Sequence, residues 1–206
     1  MIRLLTRTGV FAVGLLLGAA SYAQTSPPST SAAPPAAKDT LNQQDKTFVK
    51  EAAIGGMAEV ELSKIAQKSD NAEVKRFADR MVRDHSAANQ ELTTIATGLG
   101  IDMPKALDQE HEQMRQKLTT LHGKAFDEQY MQGMVEDHNK AVNLFQQEER
   151  SGSSAHLKQF AQKTLPTLQE HQKMALELSH KVTQASTPPV VYLVNVSTRC
   201  WLTPEG

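Results

Sequence analysis

Residues 80–85 read RMVRDH and residues 133–138 read GMVEDH, so one Met-Val-x-Asp-His run occurs twice, 53 residues apart. Imidazole nitrogens and carboxylate oxygens are ligands for zinc, copper, iron, nickel or manganese. The same pair without an ion forms a polar network in which the carboxylate orients the ring. Four residues, Glu59, His85, His138 and His171, share one property. Each sits on or beside the apolar stripe of a separate helical segment, with Asp84 and Asp137 directly preceding two of them.

The segments that must position these groups lie between Leu41 and about Lys181. This stretch is rich in Ala, Glu, Gln, Lys, Leu and Met, which favour helix, and holds only Pro104 and Pro166 as prolines. Five helices are expected: about 42–68, 72–97, a shorter one with Pro104 in its first turn ending near His122-Gly123, 125–150, and 154–181 with a kink at Pro166. At roughly 100° per residue, Phe48, Ala52 and Leu62 align with Glu59. Phe77, Met81, Ala88 and Leu92 form the stripe that Asp84 and His85 flank; Phe126, Tyr130, Met134, Ala141 and Phe145 form the one flanked by Asp137 and His138. His171 falls within Leu157, Ala161, Leu168, Ala175 and Leu178. All four candidates lie near the middle of their helices, and midpoints of aligned bundle helices coincide in height whichever way each helix runs.

The fold class that follows is all-α: four long helices in an up-down bundle with a shorter crossover helix. Eighteen residues from Pro104 to Leu121 would span about 27 Å as a helix, enough to return the chain to the other end. Helices two and four would then be parallel, as in a ferritin-like arrangement. Burying one Glu and three His in one layer is costly unless they pair, bridge water or bind an ion. Imidazole nitrogens converging within about 4–5 Å would favour an ion, given ligand distances of about 2.0–2.2 Å.

The remaining chain is read as follows. Residues 1–23 carry Arg3 and Arg7, an apolar run and Ser21-Tyr22-Ala23, the pattern of a signal peptide cleaved after Ala23. Residues 24–40 are a Pro/Ser/Ala-rich linker, 41–183 the bundle, and 184–206 a tail containing the strand-like VVYLVNV (190–196). Cleavage leaves 20 basic against 23 acidic residues, mixed in sign, which excludes a nucleic-acid footprint. No later segment is long and apolar enough to span a bilayer, and Cys200, the single cysteine, allows no intrachain disulfide. His111-Glu112 lacks the second His of a zinc-protease helix, and His111, His122, His156 and His180 are read as surface or helix-end residues. Gly55-Gly56 is read as a close helix contact, and the methionines as core filler. No nucleophilic triad is spaced for catalysis, so no catalytic residue is assigned.

The stretches FVKEAAIGGMAEVELSKIA (48–66), FADRMVRDHSAANQEL (77–92), AFDEQYMQGMVEDHNKAVNLF (125–145) and LPTLQEHQKMALEL (165–178) resemble a bacterial ferritin-like family, the domain of unknown function numbered 4142. The resemblance implies a ferritin-like bundle in an exported or outer-membrane-associated protein. Di-iron carboxylate bundles carry Glu-x-x-His; here Val82, Val135 and Leu168 stand three before His85, His138 and His171, so that motif is absent. The expectation is an exported, periplasmic, non-enzymatic envelope or stress-related binding protein, acting through an envelope protein partner or self-association. The alternative is a metal-handling protein holding one transition ion, with Glu59, His85, His138, His171, Asp84 and Asp137 as the candidate metal residues.

Overall fold

The computed structural model describes residues 40–184; the expected signal peptide, all but Thr40 of the expected linker, VVYLVNV and Cys200 lie outside the described residues. The described chain is an all-helical bundle of α1 (Gln43–Ala66), α2 (Ala72–Gly98), α3 (Gln109–Thr120), α4 (Gly123–Ser151) and α5 (Ala155–Gln184). No described helix is long and apolar enough to cross a membrane.

Helix ends follow local chemistry. Asn42 and Asp45 cap α1 reciprocally, each side chain accepting from the other's backbone N–H. Asn71 accepts from the Glu73 N–H at 2.9 Å and so caps α2. Gly100, just past the end of α2, has φ 69°, the left-handed conformation that lets a helix stop. Pro166 lies inside α5, which runs through it.

The third helix begins later than its sequence suggests. Asp108 is its N-cap, accepting from the His111 N–H at 2.9 Å, and residues 101–108 are not helical. Two start signals compete here. Pro104 disfavours helix at Met103, and Ile101 and Met103, in non-helical chain, pack partly buried against the core. Asp108 supplies the side-chain acceptor that a proline start lacks. The crossover is therefore part irregular chain and part a helix of about 18 Å.

Two apolar clusters define the bundle's ends. One joins Leu62 and Ala66 of α1, Val74 to Met81 of α2, Phe126 to Met134 of α4 and Ala175 to Val182 of α5, with Leu118 of α3. The other joins Phe48 to Ala53, Leu92 and Ala96, Val142 and Phe145, and Leu157 to Leu168. The starts of α2 and α4 thus share one end, and the starts of α1 and α5 the other. At one end Phe48, Phe145 and Phe160 meet with centroids 4.9, 6.2 and 5.7 Å apart. At the other, the Tyr130 hydroxyl shares a hydrogen bond of 2.8 Å with Ser63 Oγ, which satisfies a phenol that burial keeps from ionising. Buried Glu59, His85, His138 and His171 lie between the clusters.

The turn between α4 and α5 is fastened to the start of α1. The Ser153 and Ser154 N–H groups both donate to Asp45 Oδ1 at 3.0 Å. Gly152 leaves no room in this turn, since a Cβ there would stand 2.2 Å from Glu148 Oε1 and 2.7 Å from the Glu148 carbonyl oxygen. Gly152→Ala must displace backbone and is expected to cost about 1–3 kcal/mol, read as a lower thermal midpoint. An unchanged midpoint would mean that the turn yields freely.

Candidate metal centre

Glu59, His85, His138 and His171 come from four different helices and are 3, 5, 0 and 0 % exposed, so water does not reach them as it would a surface cluster. The three rings stand with centroids 5.3 to 5.5 Å apart. One ligand atom from each lies within 4.8 Å of the other two.

The orientation of the rings follows from what holds them. His85 Nδ1 is 2.8 Å from Glu59 Oε2. His138 Nδ1 is 2.8 Å from the Met134 carbonyl oxygen, one turn back on its own helix, and 3.4 Å from Glu59 Oε1. His171 Nε2 is 3.0 Å from Asp84 Oδ2. A carboxylate or carbonyl oxygen only accepts, so each of these nitrogens carries the hydrogen. The opposite nitrogens, His85 Nε2, His138 Nε2 and His171 Nδ1, are buried without a hydrogen-bond partner. A buried polar atom left unpaired costs about 1–3 kcal/mol, so three in one place need a common partner. With all three rings neutral, a single water has only two hydrogens to donate and leaves one imidazole lone pair unmet; with His85 protonated, one water accepting from its Nε2–H and donating to the other two rings would serve instead. A cation meets all three.

The charges in the layer are set by mutual contact. Burial alone would raise the Glu59 carboxyl, but His85 and His138 outweigh it and hold it at about 2. Burial would lower His85, yet the Glu59 carboxylate raises it above an ordinary histidine. Burial and the neighbouring rings lower His138, and lower His171 to about 4. Without an ion the layer is a Glu59 carboxylate paired with a His85 imidazolium, beside two neutral rings.

The repeated Met-Val-x-Asp-His runs place their histidines together and their aspartates apart. Asp84 accepts from His171 and is itself held by Arg80 Nε at 3.2 Å and Arg83 Nε at 3.0 Å. Arg80 also donates to both Glu170 oxygens, at 2.9 and 2.7 Å, tying α2 to α5. Burial opposes ionisation of Asp84, but His171 and Arg80 keep its carboxyl below the usual range. Asp137 does not face the three rings' free nitrogens; its Oδ1 is 3.5 Å from His111 Nε2. His111 is buried, not the surface residue its sequence context suggests, and its Nδ1 lies 2.7 Å from Asp108 Oδ1. The hydrogen bond to Asp137 outweighs burial and raises His111 to about 9. His111 was missed although Met114, Leu118 and Leu121 continue its face at i+3, i+7 and i+10; a second signal was Asp108 three residues before it, a cap that also grips the ring.

The sequence profile of the family described as "Domain of unknown function (DUF4142)" matches residues 30–178. The chain belongs to that family. Among solved structures, the chain is similar to the crystal structure of a DUF305 fragment from Deinococcus radiodurans, with a TM-score of 0.61 at 14% identity, covering 68% of this chain and 98% of that one. At that identity the likeness concerns the fold alone. No curated protein matches the chain.

Proposed function

We propose that this protein binds one first-row transition-metal ion on His85, His138 and His171. The observation that carries the reading is a set of three buried histidines, each with one unpartnered ring nitrogen, of which one ligand atom apiece lies within 4.8 Å of the other two. Each opposite nitrogen is bound to an acceptor, the outer-shell arrangement that fixes a histidine's tautomer towards a metal. Drawing the three atoms from that spacing to bonds of about 2.0–2.1 Å needs each to move by about 0.7 Å, within the reach of side-chain adjustment. An all-imidazole set suits zinc, copper, iron, cobalt or nickel, with Glu59 supplying the negative charge that a buried cation requires.

Asp84 is the outer-shell partner whose removal is informative. Asp84→Ala is expected to weaken metal binding by about 10–100-fold, because His171 loses the acceptor that orients it. Competition titration against a chromophoric chelator measures this, and an unchanged affinity would remove His171 from the ligand set. X-ray absorption on the metal-loaded protein tests the reading as a whole. Three nitrogen scatterers at about 2.0–2.1 Å with imidazole multiple scattering support it. An oxygen-only shell contradicts it.

The finer fold assignment belongs to the same reading: shared ends for α2 and α4, joined by a long crossover, support a ferritin-like bundle. Absence of Glu-x-x-His before each histidine supports a single ion over a di-iron pair. The chain is exported to the periplasm, a proposal resting on Arg3, Arg7, the apolar run and Ser21-Tyr22-Ala23. N-terminal sequencing of the cell-envelope form should begin at Gln24. Metal handling there agrees with a non-enzymatic envelope role.

A further inference from the structure

A cavity of about 240 Å³ abuts the histidine layer, reaching it at Glu59 and His85. Its walls follow from helix direction. Ala88 and Ala141 stand three residues after His85 and His138; Leu168 stands three before His171, and Gly55 and Gly56 stand four and three before Glu59. Because α2 and α4 run opposite to α1 and α5, all five positions lie one turn from the layer towards the Phe145 and Phe160 end. Small side chains at Gly55, Ala88 and Ala141 leave the core unfilled, whereas Asn89 Oδ1 occupies the space beside Gly56. A Cβ at Gly55 would meet nothing within 4 Å, whereas a well-packed interior leaves few voids larger than a water. Leu92, Phe145 and Phe160 make the far wall apolar, and exposed Glu51 and Lys140 line the outer part.

The inner end is polar and unsatisfied: Glu59 Oε1 and His85 Nε2, both on lining residues and both buried, have no hydrogen-bond partner. An engineered apolar cavity of about 150 Å³ accepts benzene, so this one has room for an aromatic ring with a small substituent. Resting on the metal reading, the head of such a molecule is also defined. Three histidines leave a four-coordinate ion one open position. A divalent ion opposed within the layer by Glu59, the Asp84 carboxylate behind His171 being already paired with Arg80 and Arg83, leaves positive charge in the core, which an anionic head neutralises.

We infer that the cavity is a ligand pocket for a small carboxylate-type anion with an apolar body about one aromatic ring in size, its head directed at the metal layer. Such a ligand binds through burial of its ring and through the ion together, and neither part suffices alone.

The test uses the full chain loaded with Co2+, whose visible d–d bands report its ligands, titrated with benzoate and with acetate. Benzoate is expected to alter the bands and to bind at least tenfold more tightly than acetate. Gly55→Leu fills the cavity from a position with space for it and replaces a helix-interior glycine by a better helix former. It should abolish the preference for benzoate while leaving Co2+ affinity within twofold of wild type. Equal affinity for the two anions, no spectral response to either, or a preference that survives in Gly55→Leu overturns the pocket while the metal reading stands. Failure of the wild-type chain to take up Co2+ overturns both.

Discussion

His138→Ala is expected to weaken metal binding by two to three powers of ten while leaving helical content nearly intact. A structural zinc site contributes about 10–16 kcal/mol of apparent binding energy, so one ligand of a small set is worth about 3–4 kcal/mol. In metal-free buffer the variant should lose far less, about 1–2 kcal/mol. Its Nδ1 hydrogen bond goes to Met134 on its own helix, and its Nε2 bonds nothing, so truncation breaks no hydrogen bond between helices. Denaturation with and without excess metal separates the two effects. Wild type should gain about 4 kcal/mol at a thousandfold excess of metal over its Kd, and the variant at the same metal concentration only about 0.4–1.4 kcal/mol. A loss of several kcal/mol in metal-free buffer would instead make His138 a member of a structural network.

Glu148→Gln carries the second large effect, and it depends on pH. Glu148 is buried at the α4–α5 turn, and burial together with adjacent Asp45 raises its carboxyl from 4.5 to about 7. Asp45 is lowered instead: burial opposes its ionisation, but the Ser154, Asn42 and Ser153 N–H groups and Glu148 itself favour the carboxylate. The pair is thus one carboxylate and one carboxylic acid up to about neutral pH. The folded state holds the Glu148 proton more tightly than the unfolded chain does. Its contribution is fully present below about pH 4.5, declines as pH rises, and is gone once pH passes about 7. At 1.36 kcal/mol per unit this is about 3 kcal/mol. The substituted amide would keep a neutral donor towards Asp45 at every pH. The variant should lack the decline in stability between pH 5 and 7 and exceed wild type by about 2–3 kcal/mol at pH 8. Chemical denaturation across that range measures it, and parallel curves for the two proteins would show that Glu148 ionises freely.

The long helices and the height of the layer were legible because both depend on local properties. Helix-forming composition marked the segments, the 3.6-residue period marked the stripes, and four mid-helix titratable residues on four stripes had to meet at one level. What depended on a tertiary partner was not legible. The two Met-Val-x-Asp-His runs look equivalent, yet their histidines converge while Asp84 serves His171 and Asp137 serves His111. That division comes from what α5 and α3 bring against each aspartate, which no spacing within α2 or α4 encodes. The start of α3 was misplaced because Pro104 and Asp108 both signal a helix N-terminus, and packing of Ile101 and Met103 against the core in non-helical chain decided between them. Asp45 and Glu148 lie 103 residues apart and sit on helix termini, where periodicity says least.

Elemental analysis of tag-free protein, compared with a His85→Ala, His138→Ala double variant, tests the central claim most directly. One equivalent of a single transition metal in the wild-type chain, present as isolated or taken up on titration, and none in the variant is the predicted result. No metal in the isolated protein and none taken up on titration would contradict it, and would leave the three buried imidazoles as part of the core's architecture.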